Sequence, residues 1–271
     1  MINFRYHVVS IIGIFMALAV GVVLGAGPLQ RTINTGMNRS SSAAASDPQL
    51  SAQAEAEAAG LKALASSSLT GSLTGTQVAL VVLPGASDDD VAAVRSTLTD
   101  AGASVVGRVT LTDNWQSTSM SQYRATLSTS LASHLESAAA KTASADGVVG
   151  YSIVQVLTSS GSETDLLRQI LTDKSTPLMT IDEDPAGKAT TLVAIGARAQ
   201  SAATASSAPT SPDAWVGMAQ AVGSTSGVVV GDASSRDAMI SRIRSAGTAV
   251  TTVDSVGTTL ATVDTALALS T

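Results

Sequence analysis

The chain has 271 residues, 45% of them apolar and 3% aromatic, with a formal charge of -6 and no cysteine. This length and apolar share exclude wholesale disorder and allow a large core of small and β-branched side chains. The acidic balance offers no attraction to a phosphate backbone, which sets nucleic acid aside as a partner, and the missing cysteines remove disulfides, thiolate catalysis, Cys-based zinc sites and iron–sulfur clusters.

Residues 1–7 form a short tail, and from Val8 to Gly27 the sequence VVSIIGIFMALAVGVVLGAG carries no charge. As a helix rising about 1.5 Å per residue, such a run spans a hydrocarbon core of about 30 Å. Pro28 ends it, with Arg5 and His7 on one flank and Arg31 and Arg39 on the other. A cleaved signal peptide has an apolar core of about 7 to 15 residues. The longer run therefore predicts a retained transmembrane helix and a membrane-bound protein. Gly13, Ala17, Gly21 and Gly25 recur four apart. Such a stripe of small residues lets two membrane helices approach closely, so a homodimer or hetero-oligomer through this helix is expected.

Residues 28–76 read as a linker and stalk. Ser/Ala-rich and Ser/Gly/Thr-rich stretches (39–48 and 66–76) flank a short helix over 49–65, with Leu50, Ala54, Leu61 and Leu64 near one face. A folded domain is expected over 77–271. It opens with QVALVVLPG, a continuous run suited to a strand buried on both faces. A helix follows over 87–102, entered through Ser87 and three aspartates that suit the positive helix end and presenting Val91, Val94 and Leu98 on one side. Residues 104–112 form a second strand.

Helical spacing of Tyr123, Leu127, Leu131 and Leu135 predicts a helix from Ser117 to about Lys141, and GVVGYSIVQVLTS is read as helix too. A capped helix at SETDLLRQILTD, a short strand after Pro177, a strand over 189–197, a loop over 198–212 and a helix over 213–223 behind Pro212 come next. Residues 227–254 repeat the strand, glycine turn, helix, strand order of the first unit. This alternation predicts an α/β fold: a Rossmann-like three-layer domain with a mostly parallel sheet.

In such sheets ligands bind outside the carboxyl ends of the strands. The turns there contribute Pro84, Gly85 and Asp88 in one case and Gly231, Asp232 and Ser235 in the other, the candidate crevice. Neither turn is a dinucleotide or Walker loop, so no cofactor is expected, and Asp88, Asp89 and Asp90 read foremost as helix-capping acids. His134 has no G-x-S-x-G partner motif and reads as a surface residue; no catalytic residue is assigned and the protein is expected not to be an enzyme. Asp182, Glu183 and Asp184 look like a charged loop before Pro185. Copper ligands are scarce, since the two histidines lie far apart and the methionines form no M-x-x-M cluster. The metal assignment stays open.

Two segments, FRYHVVSIIGIFMALAVGVVLGAGPL (4–29) and DDDVAAVRSTLTDAGASVVGRVTLT (88–112), resemble the actinobacterial MctB family, with its copper-linked members and its SteB cell-separation branch. The resemblance implies a single-pass plasma-membrane protein, N-terminus cytoplasmic and C-terminal domain in a periplasm-like space. It further implies, as the main expectation, a part in cell separation with a SteA-like membrane protein that influences peptidoglycan hydrolysis. The alternative is copper homeostasis as an envelope channel, although one helix encloses no pore and buried strands are not the alternating strands of a membrane barrel. A Ser/Ala-rich stalk stands here where copper-linked members have a charged, heptad-like helix.

Overall fold

Continuous β-branched runs with no polar face must be covered on both sides, and the chain supplies helices for each side. The structure, a computed structural model, describes residues 48–199 and 209–271. The predicted membrane helix, with Gly13, Ala17, Gly21 and Gly25, lies outside the described residues. Among those described, no helix is long and apolar enough to cross a membrane.

Helix α1 (Pro48–Leu69) is rich in Ala, Leu, Gln and Glu, all good helix formers. The chain divides at Glu57 and Ala58 into two units, the second running to Thr271. In the second unit the end of α1 docks through Leu61, Ala65 and Leu69, whereas Leu64, expected on the apolar face, is exposed, as is Leu50 in the first unit. The stretch read as a linker over 66–76 is the end of α1 followed by a docked turn: Leu73 is buried and its N–H donates to Ala101 O at 2.9 Å. The two leucines that interrupt the small polar residues carry it, and composition hides them. Gly102 lies under this turn at φ +96, where a Cβ would sit 3.0 Å from Thr74 Oγ1.

Strand β1 (Gln77–Val82) leads to helix α2 (Asp88–Asp100) and strand β2 (Ser104–Leu111). A short helix α3 (Asp113–Gln116) comes next, and the long helix expected over 117–141 is broken into a 3-10 turn (Thr118–Met120), α4 (Ser121–His134) and α5 (Ala138–Lys141). The break falls where Leu135 takes an extended conformation and Ser137 caps α5 through a bond from Ala140 N–H. Helices α6 (Ala145–Thr158) and α7 (Ser162–Leu171) precede β3 (Met179–Glu183) and β4 (Thr191–Ile195). Then come α8 (Pro212–Gly223), β5 (Val228–Val230), α9 (Met239–Ser245), β6 (Thr251–Val253) and α10 (Thr259–Leu269). Helix α9 starts later than its Ser/Asp residues suggest, because Asp232 takes the Ser234 N–H into a local turn instead of capping a helix.

The sheet runs β3-β2-β1-β4-β5-β6, every neighbouring pair parallel except β2 with β3. The mostly parallel α/β sheet expected from the sequence is present, with an antiparallel strand at one edge. Alternate β1 residues enter two cores. Ala79, Val81 and Leu83 face α4, α6, α7, α8 and α9, and Val78, Leu80 and Val82 face the end of α1, α2 and α10. On the first side α6 and α8 approach so closely that a Cβ on Gly217 would lie 2.5 Å from the Asp146 carbonyl carbon, and one on Gly150 would lie 2.7 Å from Gly217 O.

Candidate functional site

After β1 the chain runs to β2 and β3 on one side of the sheet, and after β4 it runs to β5 and β6 on the other. At such a reversal the connections leave in opposite directions and open a crevice beyond the strand ends. Here it holds about 520 Å³. β1 contributes Pro84 and Gly85, β4 contributes Gly196, Ala197 and Arg198, and Asp232 and Met239 come from behind β5. Gly196 and Gly231 close round the Met239 methyl; a Cβ on either would fall 2.3 Å from Met239 Cε.

The far wall is the stretch 113–117 together with Trp215. A buried arginine holds it. Arg124, fully enclosed, donates from Nε to Asp146 Oδ1 at 2.6 Å and from Nη1 to the carbonyls of Ser117 at 2.8 Å and Asn114 at 3.3 Å. The wall is also sewn to the start of α8: Ser211 N–H donates to Gln116 O at 2.7 Å, Thr118 N–H to Pro209 O at 3.0 Å, and Trp215 Nε1–H to Gln116 Oε1 at 3.2 Å.

Arg198 forms the other lip. Its Nε and Nη2 donate to the two oxygens of Asp90 at 2.7 and 2.6 Å, a fork-to-carboxylate pair that joins the exit of β4 to the first turn of α2. The hydrogen bond to Asp90, and then the Asp90 charge, push the Arg198 pKa above its ordinary value. Asp90 is 3% exposed and the Arg198 side chain 54%. Asp90 is thus a buried partner, not only the helix-capping acid expected; Ser87 at the helix start makes no side-chain capping bond. Arg198 also borders a second cavity of about 320 Å³ between α1, α2 and α10, with Ala65, Leu69 and Val94 in its walls.

Of the residues predicted from sequence, the structure brings Pro84, Gly85 and Asp232 into one crevice, with Gly231 beneath it against Met239. Asp88 and Ser235 stand outside. The Asp88 carboxylate meets Arg108 Nη2 at 2.9 Å, and Ser235 lies in a shallow depression beside α9. Sequence reasoning missed Asp113, Gln116, Arg198 and Trp215. The end of β4 was legible as a strand end, but only the strand order makes β4 the neighbour of β1.

Groups with other chemistry lie elsewhere. His134, at the end of α4, places Nδ1 2.6 Å from Glu163 Oε2. The acids read as a loop are instead the end of β3 and the residue after it, each matched to an arginine: Asp182 to Arg108 at 3.3 Å, Glu183 to Arg95 at 2.6 Å, and Asp184 to Arg168. Hydrogen bonds from those arginines hold the Glu183 and Asp184 carboxyls below their ordinary pKa values. Among the described residues no group of three His, Cys, Asp or Glu side chains is placed to hold a metal ion.

The family model described as "Copper transport outer membrane protein, MctB" matches residues 1–271. Proteins named "Copper transporter MctB" from Mycobacterium bovis (strain ATCC BAA-935 / AF2122/97) and Mycobacterium tuberculosis (strains CDC 1551 / Oshkosh and ATCC 25618 / H37Rv) are each 32% identical to the chain over 123 residues. The match covers 42% of this chain and 39% of each relative, about two fifths of their length.

Proposed function

Since the chain belongs to the MctB family, we propose that it serves copper homeostasis at the cell envelope as a membrane-associated, non-enzymatic protein whose α/β unit recognises a ligand or partner. The observation that carries this reading is the family match along all 271 residues. It favours copper over the cell-separation role that the resemblance also implies. Copper enters as cargo. Thioether and imidazole donors select it, and Met239 is the one such donor among the described residues lining the crevice. The expected phenotype is therefore the copper response of cells, not tight metal retention by the crevice.

Three further features belong to the proposal. We read the α/β unit as Rossmann-like, which the strand order and the helix-covered faces support and from which the antiparallel β3 departs. Residues 8–27 serve as a retained plasma-membrane anchor with the N-terminus cytoplasmic. The family description speaks of an outer membrane, but a single apolar helix is not the closed barrel that outer-membrane spans use. Membrane partners, a SteA-like protein or a second copy, engage through the anchor.

Deletion of the gene tests the reading. Cells are expected to stop growing at lower copper concentrations than the parent while septa resolve normally, and restoration of the full chain returns tolerance. Chained, unseparated cells with unchanged copper tolerance would overturn the proposal and restore the cell-separation role.

A further inference from the structure

The chemistry lining the switch-point crevice selects among ligand classes. An anion meets a net negative lining: Arg198, the one cationic residue among the described lining residues, has its charge matched by Asp90 through Nε and Nη2, and Asp113 and Asp232 repel negative charge. A hard metal cation takes about six to eight oxygens. Two carboxylates line the crevice among the described residues, and Asp232 already accepts both the N–H and the hydroxyl of Ser234, at 2.8 and 3.0 Å. Nucleoside phosphates fail with the anions.

What remains is a platform with a polar edge. Trp215 is half-buried, one side packed on the core and another lining the crevice, and its indole is fixed by the bond to Gln116 Oε1. An N–H donor requires an oxygen opposite it, so the same bond orients the Gln116 amide and leaves its Nε2 as a donor that no described residue uses. Asp113 is exposed, and its carboxylate makes no hydrogen bond or ion pair with a described residue. Each hydroxyl of a sugar both donates and accepts, so a carboxylate and an amide donor that no described residue engages are matched to neighbouring hydroxyls, and the apolar CH face of the ring suits an indole. A volume of about 520 Å³ lies within the usual range for small-molecule sites.

We propose that this crevice binds a neutral, hydroxyl-rich sugar ring, stacked on Trp215 and hydrogen-bonded by Asp113 and Gln116. The inference is independent of the copper reading.

The test uses the full-length chain in a detergent without a sugar headgroup, with its two tryptophans labelled for 1H–15N spectroscopy. It is titrated in turn with glucose, N-acetylglucosamine and the N-acetylglucosamine disaccharide. Trp115 is fully buried, so its indole N–H serves as an internal control. At least one sugar is expected to shift the Trp215 indole N–H saturably while Trp115 stays put. Asp113→Ala is expected to weaken apparent affinity roughly tenfold, the effect of losing one charge-assisted hydrogen bond, without changing the melting temperature. Absence of a saturable shift with all three sugars would overturn the proposal, as would an Asp113→Ala response equal to that of the unmodified chain. Saturation by choline or spermidine but not by the sugars would also overturn it, in favour of an organic cation.

Discussion

Asp90 and Arg198 illustrate how unequal the two halves of an ion pair are. The carboxylate is enclosed and the guanidinium reaches water. Removing the arginine strands a buried charge, whereas removing the charge of the aspartate leaves an arginine that solvent can still serve. Arg198→Met is therefore expected to cost about 3 kcal/mol of unfolding free energy, and Asp90→Asn, which keeps an acceptor for the fork, about 1 kcal/mol. Urea denaturation of the two variants measures the difference, and equal costs would show that the pair is as well solvated at one end as at the other. Sequence alone shows only that Asp90 sits in an acidic helix start. Its partner lies 108 positions away, and no local pattern connects them.

Among the elements, β3 differs most from expectation. The chain comes back from five α-helices at Pro177 and lays the strand antiparallel along β2, with Thr180 and Asp182 exposed on its outer positions. Its acids are answered by Arg95, Arg108 and Arg168, so the edge is charged on both sides and poorly suited to recruit another strand. Glu183 and Asp184 have pKa values lowered by their arginines, so the native state binds their protons less readily than the unfolded chain. The stability they contribute is present above the unfolded carboxylate values and is lost as pH falls through the lower native ones. The melting temperature is expected to drop from about pH 4.5 downward, and the Glu183→Gln, Asp184→Asn double variant is expected to flatten that slope. An identical slope in the variant would assign acid sensitivity to other groups.

The strands themselves were legible because fully buried runs such as QVALVV leave no other solution. Helix α6 was legible as a helix despite its apolar surround, since Ser144 accepts from Gly147 N–H to cap it and the run is long. The final helix α10 was not anticipated at all. Its Thr258 cap is a common residue in a Thr-rich tail, and its apolar residues are spread round the helix, with Leu260 and Leu267 exposed while Thr262 and Thr265 are buried, so no one-sided pattern marks it. The break in the helix expected over 117–141 was missed for a related reason: Arg124, buried at a position that reads as surface, holds the carbonyl of Ser117, whose backbone is extended, outside any helix.

At the scale of the whole molecule, the proposed reading gives recognition to the described α/β unit and assembly in the membrane to the predicted anchor. The two are separable by experiment. Gly21→Leu combined with Gly25→Leu keeps the segment apolar, so insertion should persist, but it fills the stripe and is expected to reduce recovery of a crosslinked membrane complex severalfold. Undiminished recovery would move assembly to another part of the chain. The crevice itself follows from strand order more than from any motif. Pro84, Gly85 and Asp232 were found by looking at strand ends, and the residues that shape it, Gln116 and Trp215, arrive from helices far apart in the chain.

Gly257 ties these scales together. Held at φ +91, it has no side chain to intrude on the Arg198 guanidinium; a Cβ there would lie 2.3 Å from Nε. A third segment, just ahead of α10, thus packs directly on the pair that joins α2 to β4. The cluster joins positions 90, 198 and 257, contacts of long sequence separation whose loop-closure cost slows folding. The lip of the crevice that Asp90 holds is thus also bounded by the turn before α10, a part of the chain that looks least informative when read as a string of Ser, Thr and Ala.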